Sequence, residues 1–279
     1  MSDPRKSILI TGCSSGIGYD AAQGLKRRGW RVFATCRKPE DCSRLESEGL
    51  ESFPLDYEDT DSIAAALDEA LSRTGGTLDA VFNNGAYGIP GLLEDMPRDA
   101  LRAIFETNFF GQHDLSRRVI PVMRAQGDGR ILMNSSILGF AALKWRGAYN
   151  STKFAMEGWA DTLRLELHSS NIKVILIEPG PITSDIRKKS VPHFEKWIDW
   201  RNSARAEHYE KRLKPRLYAP ESAPDRFELP ASAVTAVVHD ALTLRNPRAR
   251  YRITTPTKAA AIGKRIFSTR MMDRILAKV

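Results

Sequence analysis

The sequence is poor in cysteine: only Cys13, Cys36 and Cys42 occur in 279 residues. An odd number, without paired metal-type spacing, argues against both a disulfide framework and a metal site, and fits a reducing, cytoplasmic compartment. Long apolar runs are missing too. None approaches the roughly 20 residues that cross a bilayer, and the charged residues 1–6 lead into no apolar signal stretch, so neither a spanning helix nor a secretory leader is expected. Internal repeats and low-complexity tracts are absent. Acidic residues are scarce in one region: across residues 245–279, ten Lys or Arg stand against the single Asp273, a charge of +9. The whole chain carries +8, so the remainder is 8 − 9 = −1. A near-neutral body without a basic stripe of interleaved aromatics argues against nucleic-acid binding.

With 42% hydrophobic residues, the chain is long enough to bury one large core. Short β-branched or apolar runs at 7–10, 31–35, 78–82, 130–133 and 173–177 alternate with stretches of helical periodicity at 21–28, 62–72, 101–124 and 148–169. Helices crossing between parallel strands define an α/β chain with a Rossmann-type doubly wound parallel sheet. Further short strands are expected at 52–55 and 250–253. One domain over residues 1–257 is expected. Within it, 183–230 breaks the rhythm with charge, proline and aromatics and reads as an excursion over the substrate side. Residues 258–279 form a C-terminal basic amphipathic segment, with Ile262, Ile266, Met272, Ile275, Leu276 and Val279 among Lys264, Arg265, Arg270, Arg274 and Lys278. Such a segment either packs on the body with its cations solvated or makes peripheral contact with an anionic membrane.

Directly after the first strand comes Thr11-Gly12-Cys13-Ser14-Ser15-Gly16-Ile17-Gly18. A strand-to-helix turn without Cβ atoms lets backbone N–H groups approach a pyrophosphate, so Gly12, Ser14, Ser15, Gly16, Ile17 and Gly18 are candidate dinucleotide contacts. The same letters contain Gly-x-Ser-x-Gly, the nucleophile elbow of hydrolases, which would need partners such as Asp225 and His239. An acidic residue after the second strand would bind the ribose 2′-hydroxyl of NAD; Arg37 and Lys38 stand there instead and suit the 2′-phosphate of NADP(H). Asp56 could accept a bond from the adenine amino group or simply close a turn.

Tyr149 and Lys153 are four residues apart at the start of an expected helix and share one face. A neighbouring ammonium lowers a phenol's pKa and makes it usable in proton transfer. Seven tyrosines and 14 lysines in 279 residues give about 0.35 such pairs by chance, so the pair needs company. Ser136 supplies it just past the strand at 130–133, where a hydroxyl can polarise a carbonyl oxygen. Asn108, an amide within an apolar helix, fits a water holder near Lys153; it and Ser135 could instead bond core backbone.

With these residues in view, the chain resembles the short-chain dehydrogenase/reductase family over residues 7–184: the Thr-Gly-x-x-x-Gly-x-Gly turn, an Asn-Asn stretch, an Asn in the next helix, Ser, and Tyr-x-x-x-Lys. Residues 33–41 and Gly180-Pro181-Ile182 are similar to the branch of retinol and 17β-hydroxysteroid dehydrogenases and bacterial NADP-dependent aldehyde reductases. The resemblance implies a tetrad of Asn108, Ser136, Tyr149 and Lys153. Tyr149 would be the general acid in reduction and base in oxidation, and Lys153 would also hold the nicotinamide ribose. It further implies cofactor contacts from Asn83, Gly85, Pro179, Gly180, Ile182 and Ser184, the last standing where threonine is usual. One departure is plain: Asn83-Asn84-Gly85-Ala86 exchanges the two small residues of the family's Asn-Asn-Ala-Gly. If the family glycine needs positive φ, Ala86 does not supply it, and Gly85 or Gly88 would have to compensate. Apolar segments at 87–92 and 137–143, with Phe194 and Trp197, suggest a lipophilic alcohol or carbonyl substrate. The implied assembly is a homodimer or homotetramer; a catalytically silent NADP(H) sensor or scaffold is the non-enzymatic alternative.

Overall fold

Seven short strands pair in parallel in the order β3-β2-β1-β4-β5-β6-β7 in the computed structural model, which describes residues 5–219 and 226–278. They are β1 Ser7–Ile10, β2 Arg31–Cys36, β3 Glu51–Pro54, β4 Ala80–Asn83, β5 Gly129–Asn134, β6 Ile172–Glu178 and β7 Arg250–Arg252. The order reverses between β1 and β4, and a crevice opens beyond the strand ends at such a switch point. Ile10 pairs with Ala34 of β2 on one side and Phe82 of β4 on the other, so the turns after these strands converge there.

Side chains alternate between the faces of each strand, and both faces are covered. Ile8, Ile10, Val32 and Ala34 pack with Ala21 and Leu25 of α1 (Gly16–Arg27). Opposite them, Leu9, Phe33, Val81 and Ile131 pack with α3 (Thr60–Thr74), which follows α2 (Pro39–Ser47). The stretch expected as one helix at 101–124 is α4 (Arg98–Phe105) and α5 (Gly111–Gln126), joined by a π-helical turn at Glu106–Phe110. With α6 (Gly147–Glu166), α5 completes the second face through Leu115, Val119, Met156 and Ala160.

The excursion holds α7 (Ile186–Trp197), α8 (Ala206–His208) and α9 (Lys214–Leu217). Phe194, Ile198, Tyr209, Leu213 and Leu217 bury against Ile89, Ala100 and Ile104 as a third apolar cluster above the strand ends. Next, α10 (Ala231–Thr243) returns to the first face, with Val234 and Val238 in that core. The basic segment is carried on two helices, α11 (Thr255–Ile266) and α12 (Thr269–Leu276), with Met272 packed near Gly263. Val279 and the hydrolase candidate Asp225 lie outside the described residues. No helix among the described residues is long and apolar enough to cross a membrane.

Candidate active site

The turn after β1 is built where side chains cannot fit. Gly12 and Gly16 have φ of +68° and +60°. A Cβ on Gly12 would lie 2.7 Å from the Gly85 Cα, and one on Gly18 would collide with the Gly12 carbonyl. Ser15 begins α1 without a side-chain cap bond, so this helix start presents N–H groups and a positive dipole end. The Ser14 and Ser15 hydroxyls both accept from Lys189 of α7, at 3.2 and 2.6 Å. Glycines at the close approaches, a helix N-terminus, two hydroxyls and an ammonium together suit a dinucleotide's phosphates. For the hydrolase alternative, no hydrogen bond among the described residues joins Ser14 to His239.

Arg37 is exposed immediately after β2, and its charge acts on Tyr87 and His193 across the crevice. Lys38 lies 3.7 Å from Glu40. The Asp56 carboxylate accepts from the Glu58 N–H at 3.0 Å, and its own N–H donates to Ser62 Oγ at 2.9 Å, which closes a turn below β3. Asn83, expected as a cofactor contact, is fully buried: it accepts from the Tyr57 hydroxyl at 2.7 Å and donates to Ser116 Oγ at 3.0 Å. It supports the wall from behind. Past β6, the Pro179 carbonyl accepts from the Ile137 N–H at 2.7 Å, tying that loop to the one holding Ser136. Gly180 sits where a Cβ would strike Thr254 Oγ1, Ile182 pairs with Leu229, and the Ser184 Cβ is 3.3 Å from where a Cβ on Gly16 would lie.

The exchanged Gly85-Ala86 pair has a local cause. Neither residue has positive φ, so the departure stores no backbone strain. A Cβ on Gly85 would approach the Tyr57 ring at 3.2 Å, and one on Gly111 would collide with the Tyr57 backbone. Tyr57, whose hydroxyl also meets Thr11 Oγ1 at 2.8 Å, fills the space between two glycines.

Tyr149 lies in the first turn of α6, its phenol near enough to Ser136 for that hydroxyl to favour the phenolate. Ser136 Oγ also accepts from the Leu138 N–H at 3.1 Å, which fixes the serine at the start of a short turn. One helical turn on, Lys153 is buried; its Nζ donates to the Asn134 carbonyl at 2.6 Å and lies 5.4 Å from the Tyr149 ring centre. The lowered phenol pKa expected from the sequence is not found. Burial pushes Tyr149 up to about 12, against the opposing effects of Ser136 and Arg146, and pulls Lys153 down to about 7, against support from Glu157. Desolvation of the charged form is the largest cause at both groups.

Asn108 bonds backbone, one of the two roles open to it from the sequence. Its side chain accepts from the Tyr87 N–H at 3.0 Å and donates to the Tyr87 carbonyl at 2.9 Å and to Thr152 Oγ1 at 3.3 Å. The amide ties the loop after β4 to α6. Thr152 in turn donates to the Tyr149 carbonyl at 2.9 Å, so Asn108 braces the start of α6.

Behind Lys153 lies a charge network that sequence reasoning missed. Arg250 bonds Glu157, Glu178 at 2.8 Å and Asp161 at 2.6 Å, while Arg252 bonds Glu178 at 3.0 Å and the Ser135 hydroxyl bonds Glu157. Burial, then the neighbouring Glu178, pushes the Glu157 carboxyl upward. A signal was present in the four-residue steps from Tyr149 through Lys153 to Glu157. On the other side of Tyr149 stand Tyr87, Val191, Phe194 and Trp197, an apolar wall in which Tyr87 stacks on His193 at 4.0 Å.

A parallel sheet with a glycine-rich turn at its switch point defines a Rossmann-type dinucleotide-binding fold. The family model for short chain dehydrogenases matches residues 6–194, and the chain belongs to that family. It is 40% identical over 272 residues to the uncharacterized oxidoreductase YbbO of Escherichia coli (strain K12), spanning 98% of this chain and 94% of that one. Identity to retinol dehydrogenase 7 of Mus musculus is 31% over 278 residues, covering 97% and 87%. Among solved structures, a short-chain dehydrogenase from Streptomyces avermitilis superposes with a TM-score of 0.80 at 26% identity, covering 100% of this chain and 98% of that one.

Proposed function

We propose that this oxidoreductase moves a hydride between NADP(H) and a lipophilic alcohol or carbonyl compound, such as an aldehyde, a retinoid or a steroid-like ketone. The observation that carries the reading is Tyr149, one helical turn from Lys153, whose Nζ lies 5.4 Å from its ring centre, and packed against the third apolar cluster on the Ser136 side of the crevice. When bound, a reduced nicotinamide supplies the hydride. Ser136 and Tyr149 receive the carbonyl oxygen, and Tyr149 gives it a proton; in oxidation the phenolate takes that proton back. Lys153 would hold the nicotinamide ribose and stabilise the phenolate. The wall of Tyr87, Phe194 and Trp197 keeps water from the reacting carbon and favours apolar substrates. Purified protein incubated with NADPH and a panel of aldehydes and ketones should oxidise the nicotinamide only when a carbonyl is present. Tight NADPH binding without turnover across the panel would favour the sensor or scaffold.

NADP(H) preference is supported by Arg37 and Lys38 at the position of the acidic residue that binds an NAD ribose. Charge-assisted hydrogen bonds contribute about 1.5–3 kcal/mol each. Arg37→Ala should therefore lower kcat/KM for NADPH by roughly 10–100-fold, with a much smaller change for NADH. Equal losses for the two cofactors would remove the preference.

Two surfaces support proposals about partners. Ile262, Ile266, Phe267, Met271 and Ile275 are exposed on α11 and α12 among five cations, a surface suited to an anionic membrane. The protein should pellet with acidic vesicles, and Ile266→Ser combined with Met271→Ser and Ile275→Ser should abolish pelleting; absence of binding by the parent removes the membrane reading. On the α5–α6 face, an open groove of about 590 Å³ lined by Ile120, Trp159 and Leu163 suits a second copy of the chain. Sedimentation should give a dimer or tetramer, and a monomer at micromolar concentration would refute that assembly.

A further inference from the structure

The phosphate turn carries no cation of its own, since residues 11–18 contain neither Lys nor Arg. Its nearest candidate within the same face, Arg44, donates to the Ser14 carbonyl at 2.7 Å but is already paired with Glu48 at 3.0 Å and Asp41 at 3.7 Å. Lys189 differs. It arrives from α7, 174 residues beyond Ser15, and its Nζ rests on the Ser14 and Ser15 hydroxyls while forming no carboxylate pair among the described residues. A cation at the N-terminus of α1 sits against the positive end of a helix dipole, an unfavourable placement by itself. Two neutral hydroxyls are weak compensation for an ammonium. Hydroxyls, helix N-terminus and ammonium become mutually favourable once an anion lies among them.

The rest of α7 gives this contact a second consequence. His193 stacks on Tyr87 with planes 16° apart, and Ser190 Oγ would lie 3.3 Å from a Cβ on Gly88, so the helix also rests on the loop after β4. Its Phe194 is buried in the apolar cluster that flanks Tyr149. One helix therefore touches the phosphate turn at Lys189 and forms the substrate wall within the next two turns.

We propose that Lys189 is the phosphate-binding cation of the cofactor site, and that its bond to the phosphate holds α7 closed over the substrate side. The proposal rests on the dinucleotide reading above. A phosphate lying among Lys189 and the Ser14 and Ser15 hydroxyls would fix α7 where it stands, and with it the apolar wall beside Tyr149.

The test measures dissociation constants for NADPH and NADH by quenching of tryptophan fluorescence in the parent, Lys189→Ala, Lys189→Arg and the neighbouring Lys188→Ala. Lys189→Ala should weaken NADPH tenfold or more, Lys189→Arg should restore most of the affinity, and Lys188→Ala should change it less than twofold. Loss with both dinucleotides places the cation at the shared diphosphate; loss with NADPH alone places it at the 2′-phosphate. NADPH should also slow amide hydrogen exchange over α7 in the parent and not in Lys189→Ala. Unchanged affinity in a Lys189→Ala protein of normal melting temperature overturns the proposal, as does an equal loss in Lys188→Ala. Failure of the parent to bind either dinucleotide is a different result, which brings down the cofactor reading and Lys189 with it.

Discussion

Tyr149→Phe is expected to cut kcat for carbonyl reduction by about 10³-fold or more while leaving NADPH affinity within about twofold. The ring stays, so its packing against the apolar wall and over Lys153 is kept. Only the hydroxyl is lost, and with it the acid that the proposed mechanism assigns to the substrate oxygen. Steady-state kinetics with a saturating aldehyde, alongside fluorescence titration of NADPH, separates the two effects. Turnover near the parent rate would remove Tyr149 from the chemistry.

Lys153→Met should lower kcat/KM by about 10²- to 10⁴-fold and also erase a pH dependence. The sign follows from burial. Because desolvation holds this amine near 7, it is protonated below that pH and neutral above it in the free protein. Reduction needs the charge beside the phenol, so kcat/KM measured with limiting NADPH should be level below about 7 and fall as pH rises beyond it. Glu157 supports the charge, so Glu157→Gln should move the falling limb to lower pH without abolishing turnover. A limb that persists unchanged in both variants would belong to some other group.

Much of this architecture can be read from the letters because parallel strands covered on both faces appear as short continuous apolar runs. Ile8, Leu9 and Ile10 feed two different cores, and nothing polar interrupts them. Helix starts were harder. The first turn of α1 lies inside the glycine pattern, and glycine's poor helix propensity hid it. Pro39, Glu40 and Asp41 mark the start of α2 in retrospect, since proline and acidic residues favour a first turn. The π-helical turn at Asn108 left no periodicity to find. In the site, Tyr149, Ser136 and Lys153 were legible because local spacing brings the first and last together and a strand end delivers the second. Lys189 and Arg250 were not. Their partners are distant in sequence, and a surface-looking lysine or arginine gives no sign of what it will meet. Burial also reversed the expected direction for the phenol, since the letters Tyr-x-x-x-Lys carry no information about desolvation.

Tyr57, its ring set against Gly85, makes two positions far apart in the chain behave as one inheritable unit. A loop grafted from a relative that reads Ala-Gly after the paired asparagines would bring a methyl group against that ring, and a smaller residue at 57 would have to travel with it. Anyone recombining this enzyme with its kin would do well to place crossover points so that positions 57 and 85 come from the same parent.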